Sequence, residues 1–151
     1  MKRHLVLFLF FLGLSACSSF GSLVLKDQDR SLRVLRKVIV TTIPKGVRKV
    51  SRNGRTFFSH YFLPTDPRFR HLKRKKIRFM TRITILGDMR PYDIEVLTRR
   101  YKVQTDKYGS VIEAQDLGLA PQVNKKIFKS LKKRLIYGRD TMNIIDDFKV
   151  F

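Results

Sequence analysis

The chain has 151 residues, 43% of them hydrophobic and 30% charged, a balance that excludes a wholly disordered protein. Lys and Arg number 33 against 12 Asp and Glu, so the formal charge of +21 points to anionic partners and is silent on the fold. A single Cys excludes an intramolecular disulfide and any multi-Cys metal site.

Met1-Lys2-Arg3-His4 is a short basic head, followed by the apolar run from Leu5 to Leu14 and then Ser15-Ala16-Cys17. Positive head, apolar middle and small residues before a cleavage point are the layout of a secretory leader. The apolar run is ten residues, whereas a spanning helix needs about 20, so a permanent transmembrane anchor is not expected.

Leu14-Ser15-Ala16-Cys17 resembles the lipobox of bacterial lipoproteins. The resemblance covers only the N-terminal segment and names a processing class. It implies that the leader is cut before Cys17, and that Cys17 is acylated on sulfur and on its new amino group. Buried acyl chains contribute about 0.8 kcal/mol per methylene, enough together to hold a protein on a bilayer. Ser18 after the Cys resembles the outer-membrane sorting choice, with the periplasmic face favoured. Residues 1–16 are therefore read as leader, 17–30 as the lipidated Cys and a flexible tether, and 31–151 as one α+β domain. Leu23-Val24-Leu25 is the stretch of that tether that could dock on the domain.

The β-branched run from Val38 to Ile43 favours a strand, broken by Pro44-Lys45-Gly46. Val47 to Ser51 and Thr56 to Leu63 flank Arg52-Asn53-Gly54-Arg55, and Asn-Gly between β-prone runs predicts a hairpin with a type I′ turn. Pro64-Thr65-Asp66-Pro67 opens a basic loop that runs through Lys75. Ile77 to Leu86 is the clearest strand, with Ile77, Phe79, Ile83 and Ile85 on one face and Lys76, Arg78, Arg82 and Thr84 on the other.

After the turn at Gly87-Asp88-Met89-Arg90-Pro91, a strand is expected over Tyr92 to Gln104. Its apolar phase changes partway, from Tyr92, Ile94 and Val96 to Leu97, Tyr101 and Val103, and a bulge near Thr98-Arg99-Arg100 would reconcile the halves. A short strand is expected at Val111 to Ala114. Pro121 to Tyr137 reads as a helix, with Pro at its start, Gly138 beyond its end and an apolar stripe of Val123, Ile127, Phe128, Leu131 and Leu135. Asn143 to Phe151 reads as a last strand, with a short helix as the alternative. The sum is an α+β fold: a largely antiparallel sheet of about five to six strands, one C-terminal amphipathic helix on one face, then a final strand.

Catalytic chemistry has little to build on. There is no Gly-x-Ser-x-Gly, no His-Glu-x-x-His and no phosphate-cradling glycine loop. His60 and His71 with Asp66 between them could be drawn as a metal site, but an exposed strand His and an exposed loop His are the plainer reading. Asp93 and Glu95 share a strand face, where cross-strand pairing with Arg82 or Arg78 is more economical than catalysis. Asp146 and Asp147 would point to opposite faces of a strand. Neither an enzyme, a cofactor nor a metal is expected.

The positive charge is concentrated. Arg30 to Gly87 holds 17 Lys and Arg against the single acid Asp66, while the chain from Asp88 onward holds 13 bases and 9 acids. Arg68, Arg70, Lys73, Arg74, Lys75 and Lys76 are the candidate phosphate-contacting loop, extended by Arg78 and Arg82 along the wet sheet face. Anionic lipid or lipopolysaccharide head groups are the first expected partners, because the anchor holds the domain near them and each base close to an anionic surface adds about 1 kcal/mol. An acidic surface in an envelope protein complex comes second. Nucleic acid is disfavoured: Tyr61, Phe62 and Phe69 lie among the bases, but no binding motif accompanies them. The competing readings are bases that only solvate the domain, and an adaptor that recruits a protein through a sheet edge or the helix. In build, small lipoproteins of this kind resemble accessory subunits of envelope assembly and lipid transport, such as the lipopolysaccharide-assembly lipoprotein, at the level of fold alone.

Overall fold

The computed structural model describes residues 21–74 and 76–137, with Arg74 described in its backbone only. The leader, Cys17, Lys75 and the strand expected at 143–151 lie outside the described residues. In chain order the elements are β1 (Leu23–Gln28), α1 (Leu32–Thr42), β2 (Val47–Val50), β3 (Thr56–Ser59), a 3-10 turn (Pro67–Phe69), α2 (Arg70–Arg74), β4 (Ile77–Leu86), β5 (Tyr92–Thr105), β6 (Val111–Leu119) and α3 (Pro121–Tyr137). The fold is α+β. The six-stranded antiparallel sheet has the order β1-β5-β4-β3-β2, and β6 joins the far half of β5 on the side where β1 pairs with its near half.

Two expectations are corrected at the N-terminal end. Leu23–Gln28 belongs to the sheet, with Leu25 opposite Ile94, so the tether does not run to residue 30 and the docking of Leu23-Val24-Leu25 is what occurs. The run from Val38 to Ile43 is mostly helix. Ser31 caps α1 by accepting from the Val34 N–H at 3.4 Å, and the helix buries Leu35, Val38 and Ile39. A strand would have placed Val38 and Val40 on one face, whereas Val40 is 48% exposed. The three-to-four spacing begun at Leu32 and Leu35 outweighed β propensity, because a helix gains most of its stability from packing its apolar face.

The hairpin forms, but not through a type I′ turn. Of its two central residues only Gly54 has positive φ (66°); the Gly54 N–H donates to Ser51 O, and Ser51 N–H to Thr56 O. This is a type I turn followed by a left-handed glycine. A Cβ on Gly54 would lie 2.6 Å from Arg36 Nη2, whose guanidinium donates to the Asn53 and Gly54 carbonyls and ties α1 to the hairpin.

β4 and α3 occupy the expected spans. β4 and β5 run in unbroken register from Ile77–Lys102 to Leu86–Asp93. The irregularity expected near Arg100 falls on the other side of β5, between Arg99 and Tyr101 against β6, and β6 runs on to Leu119. The core lies between the sheet and two helices, not one: Leu35, Val38 and Ile39 of α1 and Val123, Ile127, Leu131 and Leu135 of α3 meet Phe57, Phe79, Ile83, Ile85, Ile94 and Val96.

Four polar residues cross that core. The Thr81 N–H donates to Ser59 Oγ (2.9 Å), Thr81 and Thr98 hydroxyls meet at 3.0 Å, and Thr98 donates to Asn124 Oδ1 at 3.2 Å. A hydroxyl has one hydrogen, so Thr81 is the donor to Thr98. Asn124 Nδ2 donates to Val96 O (3.0 Å) and to Gly21 O (2.9 Å), fixing the point where the chain joins the domain.

Candidate anion-binding surface

The segment expected as a basic loop is partly helical. Asp66 caps the 3-10 turn by accepting from the Arg68 N–H at 3.0 Å, and α2 follows directly. Phe69 and Leu72 pack on the core, with the Phe69 and Phe79 rings edge-to-face at 5.8 Å. These apolar contacts seat the short helix on the sheet, and the bases beside them are left at the surface.

Asp66 is the acid of this region, and its role is local. Its Oδ2 accepts from Arg68 Nη2 at 2.9 Å and from Lys126 Nζ of α3, and both of its oxygens accept from Arg68 Nε. The Arg68 hydrogen bonds, then the Lys126 bond, hold its carboxyl far below the usual carboxylate range, and Asp66 in turn raises the Arg68 guanidinium. Arg68 is thus partnered. Arg82 is partnered as well: its Nη2 lies 3.0 Å from Glu95 Oε2, the cross-strand pairing expected for that carboxylate. Asp93 instead accepts from the Asp27 N–H of β1 at 3.0 Å.

Two of the expected residues come together. Lys73 from α2 and Arg78 from β4 line a groove of about 640 Å³ with Lys45, His60, Tyr61, Phe62 and Leu63, and no carboxylate is among the lining residues. Lys45 sits in the left-handed region (φ 59°) in the turn from α1 to β2. The side chains of Lys45, His60 and Lys73 make no hydrogen bond or ion pair among the described residues, and Arg78 Nη1 donates only to the Ile77 carbonyl. Such a groove presents unpaired donors to anything anionic that enters it.

The other expected residues do not converge on it. Arg70 is exposed on α2, and Lys76 (φ 55°) lines a separate cleft with Lys102 and Glu113. Arg82 stands on the open sheet face. Lys75 and the Arg74 side chain lie outside the described residues. Lys45 and His60 are not among the anion-binding residues expected from the sequence, where His60 reads as an exposed strand His, and no local signal marks them for this role: they reach Lys73 and Arg78 only through the α1–β2 turn and the β3–β4 pairing. His60 and His71 line different cavities, and no group of three or more His, Cys, Asp or Glu that could hold a metal occurs among the described residues.

On the open face of the sheet, Arg48 lies over the Tyr61 ring at 5.1 Å, and Tyr61 meets Tyr101 edge-to-face at 5.5 Å. Burial, and next the Asp116 carboxylate, push the Tyr101 phenol up; Asp116 itself pairs with Arg99 at 2.8 Å. Among the described residues no helix is long and apolar enough to cross a membrane. No family model, no curated protein and no solved structure matches this chain.

Proposed function

We propose that this chain is a lipoprotein anchored in the bacterial outer membrane through acylated Cys17, facing the periplasm. It works without catalysis, by binding phosphate groups of anionic lipid or lipopolysaccharide as an accessory factor in envelope assembly or lipid transport. The lipobox-like Leu14-Ser15-Ala16-Cys17 supports the anchor. The observation that carries the binding role is the groove of Lys45, His60, Lys73 and Arg78, which no acid lines, beside neighbours Arg68, Arg82 and Lys126 that each have an acid partner. Unpaired bases are common on a chain with 33 bases and 12 acids, and what distinguishes this groove is that three of them and an imidazole line one concavity. With each base near an anionic surface contributing about 1 kcal/mol, the groove orients a domain that the acyl chains already hold in place.

The test is flotation of the leaderless chain from residue 17 carrying Cys17→Ala, with neutral, anionic and lipopolysaccharide-containing vesicles across a salt series. Binding to the charged vesicles is expected to fall as salt shortens the Debye length. Lys73→Glu with Arg78→Glu should weaken it by at least about 30-fold, the equivalent of two lost contacts before the added repulsion of the two carboxylates. Lys132→Glu with Lys133→Glu, a matched charge change on the exposed side of α3, should leave most of it. Absence of binding at physiological salt overturns the lipid reading and turns the search to a protein partner by crosslinking.

A further inference from the structure

A second cleft, of about 410 Å³, lies on the other flank of α2, between that helix and the start of α3. Its walls are mainly apolar, from Leu72, Phe79, Leu119 and Val123, and its polar lining includes His71 and Arg100. Arg100 stands opposite Phe79 in the β4–β5 register, on the helix-covered face of the sheet beyond Thr98. It makes no hydrogen bond or ion pair among the described residues, and no carboxylate lines the cleft. Arg68, at the same rim, is tied to Asp66. An apolar cleft whose lining includes an unpartnered guanidinium and an imidazole complements a molecule that carries both a hydrocarbon chain and an anion. The volume is at the low end of that of small-molecule sites, which suits a single chain.

The position of the cleft supplies the ligand's source. Leu119, one of its walls, packs directly on Gly21: a Cβ at Gly21 would lie 2.2 Å from Leu119 Cδ1. Gly21 is held by Asn124, and only three residues separate it from Cys17, four chain steps that span at most about 14 Å. The cleft therefore sits within one short tether of any bilayer that holds Cys17.

We propose that this cleft binds one acyl chain of an anionic membrane phospholipid, with the phosphate on Arg100 and His71. The membrane source rests on the lipid-anchor reading above; the cleft and its chemistry do not.

The probe is palmitoyl lysophosphatidic acid below its micelle concentration, titrated calorimetrically into the leaderless Cys17→Ala chain. Glycerol 3-phosphate and palmitoyl lysophosphatidylcholine are the head-only and uncharged-net comparisons. Saturable one-to-one binding of the lysophosphatidic acid is expected, with no measurable heat from glycerol 3-phosphate. Arg100→Glu, which removes the anion contact, and Gln122→Trp, which fills the cleft from its exposed rim, should each weaken binding about tenfold or more. Leu119→Ser repeats the cleft test at a second wall position, and circular dichroism confirms the fold of each variant. Lys73→Glu, in the other groove, should change nothing. Equal binding of glycerol 3-phosphate, or no binding of the lysolipid, overturns the proposal. Loss with Lys73→Glu but not with Arg100→Glu also overturns it and assigns the lipid to the groove, leaving the proposed function standing. Vesicle flotation that fails while the lysolipid still binds overturns the groove reading and leaves this one.

Discussion

The two faces of the same strands solve the polar-group problem in opposite ways. On the face covered by α1 and α3, Ser59, Thr81, Thr98 and Asn124 are at most 1% exposed and bonded to one another or to backbone, and none is charged. On the open face, one residue away along β4 and β5, the polar groups are ions: Arg82 with Glu95, and Arg99 with Asp116. Burying a charge costs far more than burying a matched hydroxyl or amide, so the buried part of the covered face holds only the second kind, and Arg100, farther along that face, is exposed. The open face can carry ions because water screens them, and each pair there contributes little to stability. Stability is thus concentrated on one face and ion pairing on the other, and three bases without acid partners, Lys45, Lys73 and Arg78, share one groove beside α2.

The largest effects should follow from breaking the covered face. Ile83→Ala, at a fully buried position between the sheet and the helices, is expected to cost about 2–5 kcal/mol by urea denaturation. A cost under 1 kcal/mol would mean that the sheet and helices are not closely packed there. Asn124→Ala removes the acceptor for Thr98 and the donor to the Val96 and Gly21 carbonyls. Leaving those groups unpaired should cost about 1–3 kcal/mol. Hydrogen exchange sharpens the point, because loss of the Gly21 tie should speed exchange in β1 before it does so in β4. Uniform speeding across all strands would show that the amide stabilises the core as a whole and not the chain's junction with it.

The covered face was the more legible one. Alternation over Ile77 to Leu86 and the stripe over Pro121 to Tyr137 specify their elements because each buries one face only, and period then decides type. The stretch around Val38 misled for a physical reason: six β-branched residues in succession satisfy a local strand preference, and only Ser31, Leu32 and Leu35, outside that run, disclose the helix. The hairpin was legible in its position but not in its turn type, which depends on the φ of Asn53. Of the candidate site, the basic character between Arg68 and Arg82 was plain, but which bases stay unpartnered was not. That depends on Asp66 reaching Lys126 across 60 residues, on Glu95 reaching Arg82 between strands, and on Lys45 and His60 arriving from elsewhere in the chain. Long-range ion pairing leaves no local pattern in a sequence.

Breaking the open face should do much less. Arg82→Gln, Glu95→Gln and the double variant form a cycle in which the coupling is expected at about 0.2–1 kcal/mol, since both side chains remain partly in water. A coupling of 3 kcal/mol would place this pair in the energetic class of the covered face and undo the contrast. Asp66 gives the smallest effect and the clearest sign. Its folded-state carboxyl titrates below the ordinary 3.8 because Arg68 and Lys126 bond to the ionised form. The stabilisation is therefore fully present above that ordinary value and is lost as pH falls through the lower folded-state one. Asp66→Asn should lower the thermal midpoint slightly near neutral pH, and the gap from the parent chain should close as the solution is acidified below about pH 4. High salt should narrow the same gap at neutral pH, because the three side chains meet at the surface. A gap that survives both acid and salt would mean that the substitution disturbs the local geometry of the turn capped at the Arg68 N–H, since asparagine can make the same cap, and does not act through charge.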